Sequence, residues 1–424
     1  MAPAVRAFSW TRRAARAIIA QAAAGKRMTE PPIILGEGDA AKHLRAIADF
    51  VTGAGGWLAP DLVIDARTDA FAMRSESARA TPEPVIRVPL AAMPLVRDFD
   101  FRIAGGDLVA TPAGNATPLQ VAVMGHITAL YNAAGKLRGW LAQCPLFTLS
   151  GHDRMLSHLL NARANAAKIR RYRELIAAGD AENLTLASFF NARMFSVRNA
   201  HLRRLNRTDI EGSASAFLPL IDCFNHSLHA EPFGVDPEAE PLALQVRAAP
   251  DPSGELFVRY NLFDALETYL FFGFVDRTAD WLGSVPFAHD LAGGARMVVT
   301  GEGNIYENRL PAEMRSLRPH LPRTTRDADG TFRLSKLIVP GPRQPDALRR
   351  VAAFLLSSMG IEADTIAHEV ARLEEHVLDV NRRYWREFAA RAAELPADTP
   401  AADLHALSDA SLSHLAGYAR THGL

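Results

Sequence analysis

Between Ala41 and Val51, apolar residues recur at Leu44, Ile47, Ala48 and Val51, the spacing of a helix with one buried face, and the glycines from Gly53 to Gly56 end it. The period then shortens. Trp57-Leu58 through Ile64 and Val85-Ile86-Arg87-Val88 read as two strands joined by a loop that includes Arg67 to Pro84, with a third strand expected from Asp107 to Thr111. Beyond Pro118 the helical spacing returns: Val121, Met124, Ile127, Leu130 and Tyr131 share one face, interrupted at Gly135. A second long helix is expected from about His152 to Ala178, its basic side of Lys168, Arg170, Arg171 and Arg173 reading as a solvated face. A third is expected to start near Thr185, capped by that hydroxyl, and to carry Phe189, Phe190, Met194 and Phe195 as a core stripe.

Strand character resumes over 216–224 and 255–260, with Leu242 to Arg247 as a further strand inside the proline-rich stretch between them. An apolar segment follows, Tyr269-Leu270-Phe271-Phe272-Gly273-Phe274, and then a turn-rich stretch to Gly303. Farther on, Asp346 precedes a helical run through Leu348, Val351, Ala352, Leu355 and Leu356 that stops at Gly360. Ile366, Val370, Leu373, Val377, Val380 and Tyr384 continue the spacing to about Leu395. Strands on both sides of a helical block imply an α+β domain over 28–303 with a helical insertion at about 118–200, followed by an all-α domain over 304–424.

Composition narrows the function classes. The 424 residues include 47 basic and 47 acidic side chains, so the global positive field that phosphate-backbone binding would use is missing, and nucleic acid is not the expected partner. Cys144 and Cys223 are far apart and form no CxxC pair, which fits a reducing, cytoplasmic setting and excludes a multi-cysteine zinc cluster. No run approaches the roughly 18 apolar residues of a membrane span. Residues 1–27 are basic, alanine-rich and free of acids, similar to a transit peptide; the expectation is a flexible extension or a true start at Met28, with a targeting segment as the alternative.

The chemistry concentrates at Asp222-Cys223-Phe224-Asn225-His226-Ser227, which follows the apolar run Phe217-Leu218-Pro219-Leu220-Ile221. Polar side chains at a strand end can converge on a polar ligand, or they can simply close a turn by satisfying nearby carbonyls. His226 and His229 have no third ligand in register, so no metal site is expected. Tyr260 stands 34 residues after His226, at the end of Glu255-Leu256-Phe257-Val258-Arg259.

Together these stretches resemble the SET-domain methyltransferases of the branch that includes the Rubisco large-subunit lysine methyltransferase and the actin-histidine methyltransferase. Leu218-Pro219-Leu220 leading into Asp222, Asn225, His226 and Ser227 is similar to that branch's Asn-His strand, and Tyr260-Asn261-Leu262, Glu267 and Gly273-Phe274 to its second element. Gly55-Gly56-Trp57-Leu58-Ala59-Pro60-Asp61-Leu62 and Val85 to Leu90 resemble its opening. The resemblance implies a SET-type β domain split by a helical insertion and S-adenosylmethionine as cofactor, bound by Asn225 and His226 with Arg198 and Asp222 helping to form the pocket. It implies Tyr260 as the catalytic tyrosine, Phe274 near the cofactor, and C-terminal helices that recruit a protein or peptide substrate.

Four features depart from that pattern, one of them being Ala265 or Asp264 where an asparagine commonly follows the tyrosine's loop. Ala70-Phe71-Ala72 stands where a Gly-x-Gly turn approaches the cofactor, and a required positive φ there would be strained. Phe272 replaces a tyrosine before Gly-Phe, and Ala200 falls near an asparagine that orients imidazole in the histidine-modifying relatives. The expected function is methylation of a protein or peptide lysine. The alternatives are a catalytically silent SET-like binding module, and a methyltransferase for a histidine or a small-molecule amine. A hydrolase using Cys223 or His226 has no nucleophile-elbow sequence to support it.

Overall fold

The computed structural model describes residues 32–67, 71–77, 80–302, 312–396 and 401–424; residues 1–27, Ala70 and Gly303 lie outside the described residues. The chain divides into two compact units, Met1–Gly139 with Phe189–Asn261, and Trp140–Ser188 with Leu262–Leu424. Two of the three boundaries fall within the helices Lys136–Gln143 and Ala181–Asn191, so the helical block of 118–200 is shared between the units.

The first unit is built on a four-stranded antiparallel sheet ordered Gly234–Asp236, Ala243–Ala248, Glu83–Pro89, Trp57–Leu58. Val85, Ile86, Val88, Leu244 and Val246 are fully buried in it, each worth about 1.5–3 kcal/mol against exposure. Gly56 leads into this sheet at a point where a Cβ would lie 2.6 Å from the Val51 carbonyl oxygen and 2.7 Å from that of Arg87, so glycine is required by space. A second sheet joins Ile33–Leu35, Leu62–Asp65 and Ala72–Ser75. The strand expected through Ile64 is thus two strands, broken at Ala59-Pro60, and the expected loop contains a strand. The helix Asp39–Gly53 buries Leu44, Ile47 and Val51 as its spacing predicts and packs on Pro118–Ala133, which Thr117 and Gln120 start with a capping box.

Other sequence expectations shift for local reasons. Two helices, Asp153–Asn161 and Ala167–Ala177, replace the one expected from His152, because Arg163 turns its guanidinium into the interior between them. The next helix begins at Ala181, where the Asp180 carboxylate accepts the Asn183 amide at 3.1 Å, while Thr185 bonds back to the Ala181 carbonyl in mid-helix. Met194 and Phe195 leave that helix for the strand Met194–Arg198, paired with Ser213–Phe217.

In the second unit, the helices Ala347–Ser358, Ile366–Ala393 and Ala401–His422 pack together around Leu355, Leu373, Val377, Trp385, Phe388, Leu407 and Leu415, all buried. The expectation of an all-α segment from 304 onward is corrected here. Thr324–Arg326, Phe332–Leu334 and Ile338–Pro340 are strands, the first two in a sheet with Phe287–Asp290 and Arg296–Val299, the third against Trp281–Gly283. Such short strands carry too few residues to show alternation in the sequence; their pairing partners fix them.

Candidate active site

Pro219 has no N–H to give a ladder, and after it the chain turns sharply. The Ile221 amide donates to the Pro219 carbonyl at 2.8 Å around Leu220, which holds φ 63 and ψ −33. This is a γ-turn of the rare, strained hand, held here by burial of the Leu220 side chain. The strand expected to run to 224 therefore ends at Phe217, and a 3₁₀ turn, Ile221–Cys223, presents Asp222. Asn225–His226 then pairs in parallel with Phe257–Val258, joining the two sequence motifs in one ladder.

Tyr260 is fastened to this ladder at both ends. Its amide donates to His226 Nδ1 at 3.1 Å, and its hydroxyl donates to the Phe224 carbonyl at 2.6 Å. The two rings lie 5.1 Å apart. Because His226 Nδ1 accepts, the neutral imidazole carries its proton on Nε2. Burial, and then the charge of Asp222, raise the Tyr260 pKa above its usual value, so the phenol remains an O–H donor. Asn225 is exposed and donates to Glu255 Oε1 at 2.7 Å.

Asp222 anchors a second layer. Its Oδ2 accepts the Tyr131 hydroxyl at 3.0 Å and lies 3.8 Å from Arg193 Nε. Arg193 also donates to the Phe189 carbonyl at 3.1 Å and lies over the Phe189 ring, 4.0 Å from its centroid. Burial raises the Asp222 pKa, opposed by the charges of Arg193 and Lys136 and by the Tyr131 hydrogen bond. Burial pushes the neighbouring Cys223 thiol up to about 12, which leaves it protonated and poorly nucleophilic. The Lys136 ammonium stands 4.1 Å over the ring of Phe71, itself buried. Ala72 sits in a regular strand opposite Asp65, and among the described residues only Asn206 and Leu220 are non-glycine residues at positive φ, so Ala72 carries no such strain.

The structure thus gathers Asp222, Asn225, His226 and Tyr260, with Phe71 linked through Lys136. Arg198 is not part of this group: it is exposed, at the end of its strand opposite Ser213, and the arginine that reaches Asp222 is Arg193, five residues earlier. Sequence reasoning missed Tyr131 and Arg193. The usable signal was that Arg193 stands four residues after Phe189, the spacing at which a cation can lie over a ring one helical turn back.

Phe274 belongs to the second unit, where it is 37 % exposed beside Phe272. Phe263, Phe271 and Phe272 form an aromatic group there, and the Lys168 ammonium stands 5.2 Å from the Phe271 centroid. The helix that carries Phe271 and Phe272, Ala265–Phe272, ends at Gly273 in the left-handed conformation and starts with a capping box between Asp264 and Glu267. Both carboxylates are buried and paired. Arg163 Nη2 donates to Asp264 at 2.6 Å, and Lys336 Nζ donates to both Glu267 oxygens at 2.7 Å. Among the described residues no group of three or more His, Cys, Asp or Glu side chains could hold a metal ion, and no helix is long and apolar enough to cross a membrane.

No protein-family model and no curated protein matches this chain. Several solved structures have a similar trace. They include the SET domain of LSMT bound to lysine and AdoHcy, at TM-score 0.41 and 12 % identity, covering 90 % of this chain and 91 % of that one. Two further ones are Rubisco LSMT bound to AdoMet, at TM-score 0.40 and 12 % identity over 90 % and 91 %, and Rubisco LSMT bound to sinefungin and monomethyllysine, at 0.34 and 14 % over 90 % and 92 %.

Proposed function

We propose that this chain is a SET-type N-methyltransferase that uses S-adenosylmethionine to methylate a lysine of a protein or peptide. The observation that carries the reading is the double fastening of Tyr260 to the Asn225–His226 ladder, which makes one site of two motifs 34 residues apart. The donor set suits the cofactor: a half-buried carboxylate at Asp222 for cationic groups, the His226 Nε2–H and the Asn225 amide for polar groups, and aromatic faces at Phe71 and Tyr260. Ala72 adds a Cβ without strain. Bound there, the cofactor supplies a methyl group on a sulfonium for in-line displacement.

The protein's own contribution is placement and dryness. Holding an amine in line is equivalent to roughly 7–11 kcal/mol of barrier. A lysine with an ordinary pKa of about 10.4 must first lose its proton, and a buried, aromatic-lined approach favours the neutral amine by desolvation. The helices Ala347–Ser358, Ile366–Ala393 and Ala401–His422 are assigned to recruitment of the substrate protein, and the buried, unpaired Cys144 and Cys223 fit a reducing, cytoplasmic setting. Calorimetric titration with S-adenosylmethionine tests the reading; folded protein that gives no binding heat would refute it.

A second reading, a silent binding module, is favoured by one feature. The Asn225 amide and the Tyr260 hydroxyl are both engaged within the protein, by Glu255 and by the Phe224 carbonyl. Labelled cofactor added to cell lysate separates the two: a silent module transfers no label to any protein.

A further inference from the structure

We propose that Tyr131, which lies outside both motifs, is a positioning residue that holds the Asp222 carboxylate ionised and aimed at a cationic ligand group. The proposal rests on the methyltransferase reading and extends it to the recognition of positive charge at the sulfur. Tyr131 projects from the helix Pro118–Ala133, a different element from the Asp222 turn, and its hydroxyl reaches Oδ2 at 3.0 Å. Its ring is wedged edge-on against Phe189 at 5.5 Å, with the Arg193 guanidinium 5.7 Å from its centroid. The phenol therefore has one orientation, and that orientation ends at Asp222.

A carboxylate with most of its surface withdrawn from water, as Asp222 is with its side chain 22 % exposed, is pushed toward its protonated form. The groups facing Asp222 decide whether it protonates: Arg193 ahead of the strand Met194–Arg198, Lys136 at the start of the helix Lys136–Gln143, and Tyr131 each favour the anion. The Tyr260 phenol and the Cys223 thiol stay neutral in this environment, because burial and the Asp222 charge both raise their pKa values. Arg193 is itself held by the Phe189 carbonyl and ring, and its Nε stands 3.8 Å from Asp222 Oδ2, a charge contact. The Tyr131 hydroxyl gives the same oxygen a directed hydrogen bond at 3.0 Å. In its ionised form the carboxylate provides the counter-charge that a sulfonium needs and a thioether does not.

The test compares S-adenosylmethionine, a sulfonium cation, with S-adenosylhomocysteine, a neutral thioether, by calorimetry across pH in three full-length proteins. Wild type is expected to prefer the cation, and to lose the preference as pH falls and Asp222 protonates. Asp222→Asn is expected to reduce the preference about tenfold, equivalent to about 1.4 kcal/mol. Tyr131→Phe keeps the ring packing and removes only the hydroxyl. The lost hydrogen bond had favoured the anion, so this variant should lose the preference at a higher pH than wild type while binding S-adenosylhomocysteine unchanged. A Tyr131→Phe profile that superimposes on wild type overturns the proposal, as does an undiminished preference in Asp222→Asn. Equal, tight binding of both ligands by wild type overturns this proposal alone, whereas folded wild type that binds neither overturns the methyltransferase reading as well.

Discussion

Replacing Lys336 with methionine isolates the energetics of the buried ionic cluster in the second unit. Arg163, Asp264, Glu267 and Lys336 are each no more than 3 % exposed, and their two positive and two negative charges balance. Lys336 gives Glu267 two hydrogen bonds of 2.7 Å; without it, Glu267 keeps Arg163 Nε at 3.5 Å and its capping contact to the Asp264 amide at 3.3 Å. A buried carboxylate stripped of its partner costs about 3–5 kcal/mol. In a body of this size each kcal/mol moves the melting temperature by about 2–4 °C, so Lys336→Met should lower it by about 6–20 °C. Adding Glu267→Gln removes the orphan charge while keeping an acceptor for the capping box, and should restore most of the loss. Urea unfolding of the full chain at pH 7 measures both variants. A loss below about 1 kcal/mol in the single variant, or a double variant no more stable than the single, would show that the cluster does not carry its charges as described.

Three further outcomes follow from other parts of the molecule. Tyr260→Phe loses the hydrogen bond to the Phe224 carbonyl, about 1 kcal/mol of stability, and should impair methyl transfer far more than cofactor affinity, as a transfer assay beside calorimetry would reveal. Gly283→Ala places a Cβ 2.6 Å from Arg163 Nη2 and 2.9 Å from Asp264 Oδ2; neither buried, paired atom can retreat cheaply, and a denaturant midpoint should show a loss of about 1–3 kcal/mol. His43 and His126 share an Nδ1···Nδ1 hydrogen bond of 2.9 Å, and burial lowers both pKa values from 6.5. Below pH 6.5 the unfolded chain then binds more protons than the folded one, so this pair contributes stability that is full above that pH and declines as pH falls toward the folded values. Urea midpoints between pH 7.5 and 5.5 should therefore fall less steeply in His126→Phe than in wild type.

What could be read from the sequence was whatever is local and periodic. The helices at Asp39–Gly53 and Pro118–Ala133 show their buried faces at regular spacing, and Gly135, at φ 58, closes the second where its position implied. Asn225, His226 and Tyr260 could be named because they stand in ordered motifs. Arg193 could not be told from Arg198, since only the pairing of Met194–Arg198 with Ser213–Phe217 fixes which arginine faces Asp222. Likewise the break between Asn161 and Ala167 follows from Arg163 finding Asp264, a partner about 100 residues away that no local pattern contains. Leu220 was invisible for a different reason: leucine has no preference for its backbone state there, and its packing imposes it.

The parallel ladder of Asn225–His226 with Phe257–Val258 bears on whether the site can be moved to another protein. Parallel neighbours need a crossover, and the crossover between these strands contains Gly234–Asp236 and Ala243–Ala248, the latter paired along its length with Glu83–Pro89. A segment of 213–260, although it holds both motifs, would carry Ala243–Ala248 away with one edge bare and leave Tyr131 behind on its helix. The smallest portable unit of the site is therefore most of the first body, and a chimera that borrows only the recognisable residues borrows the letters of the site without the frame that spaces them.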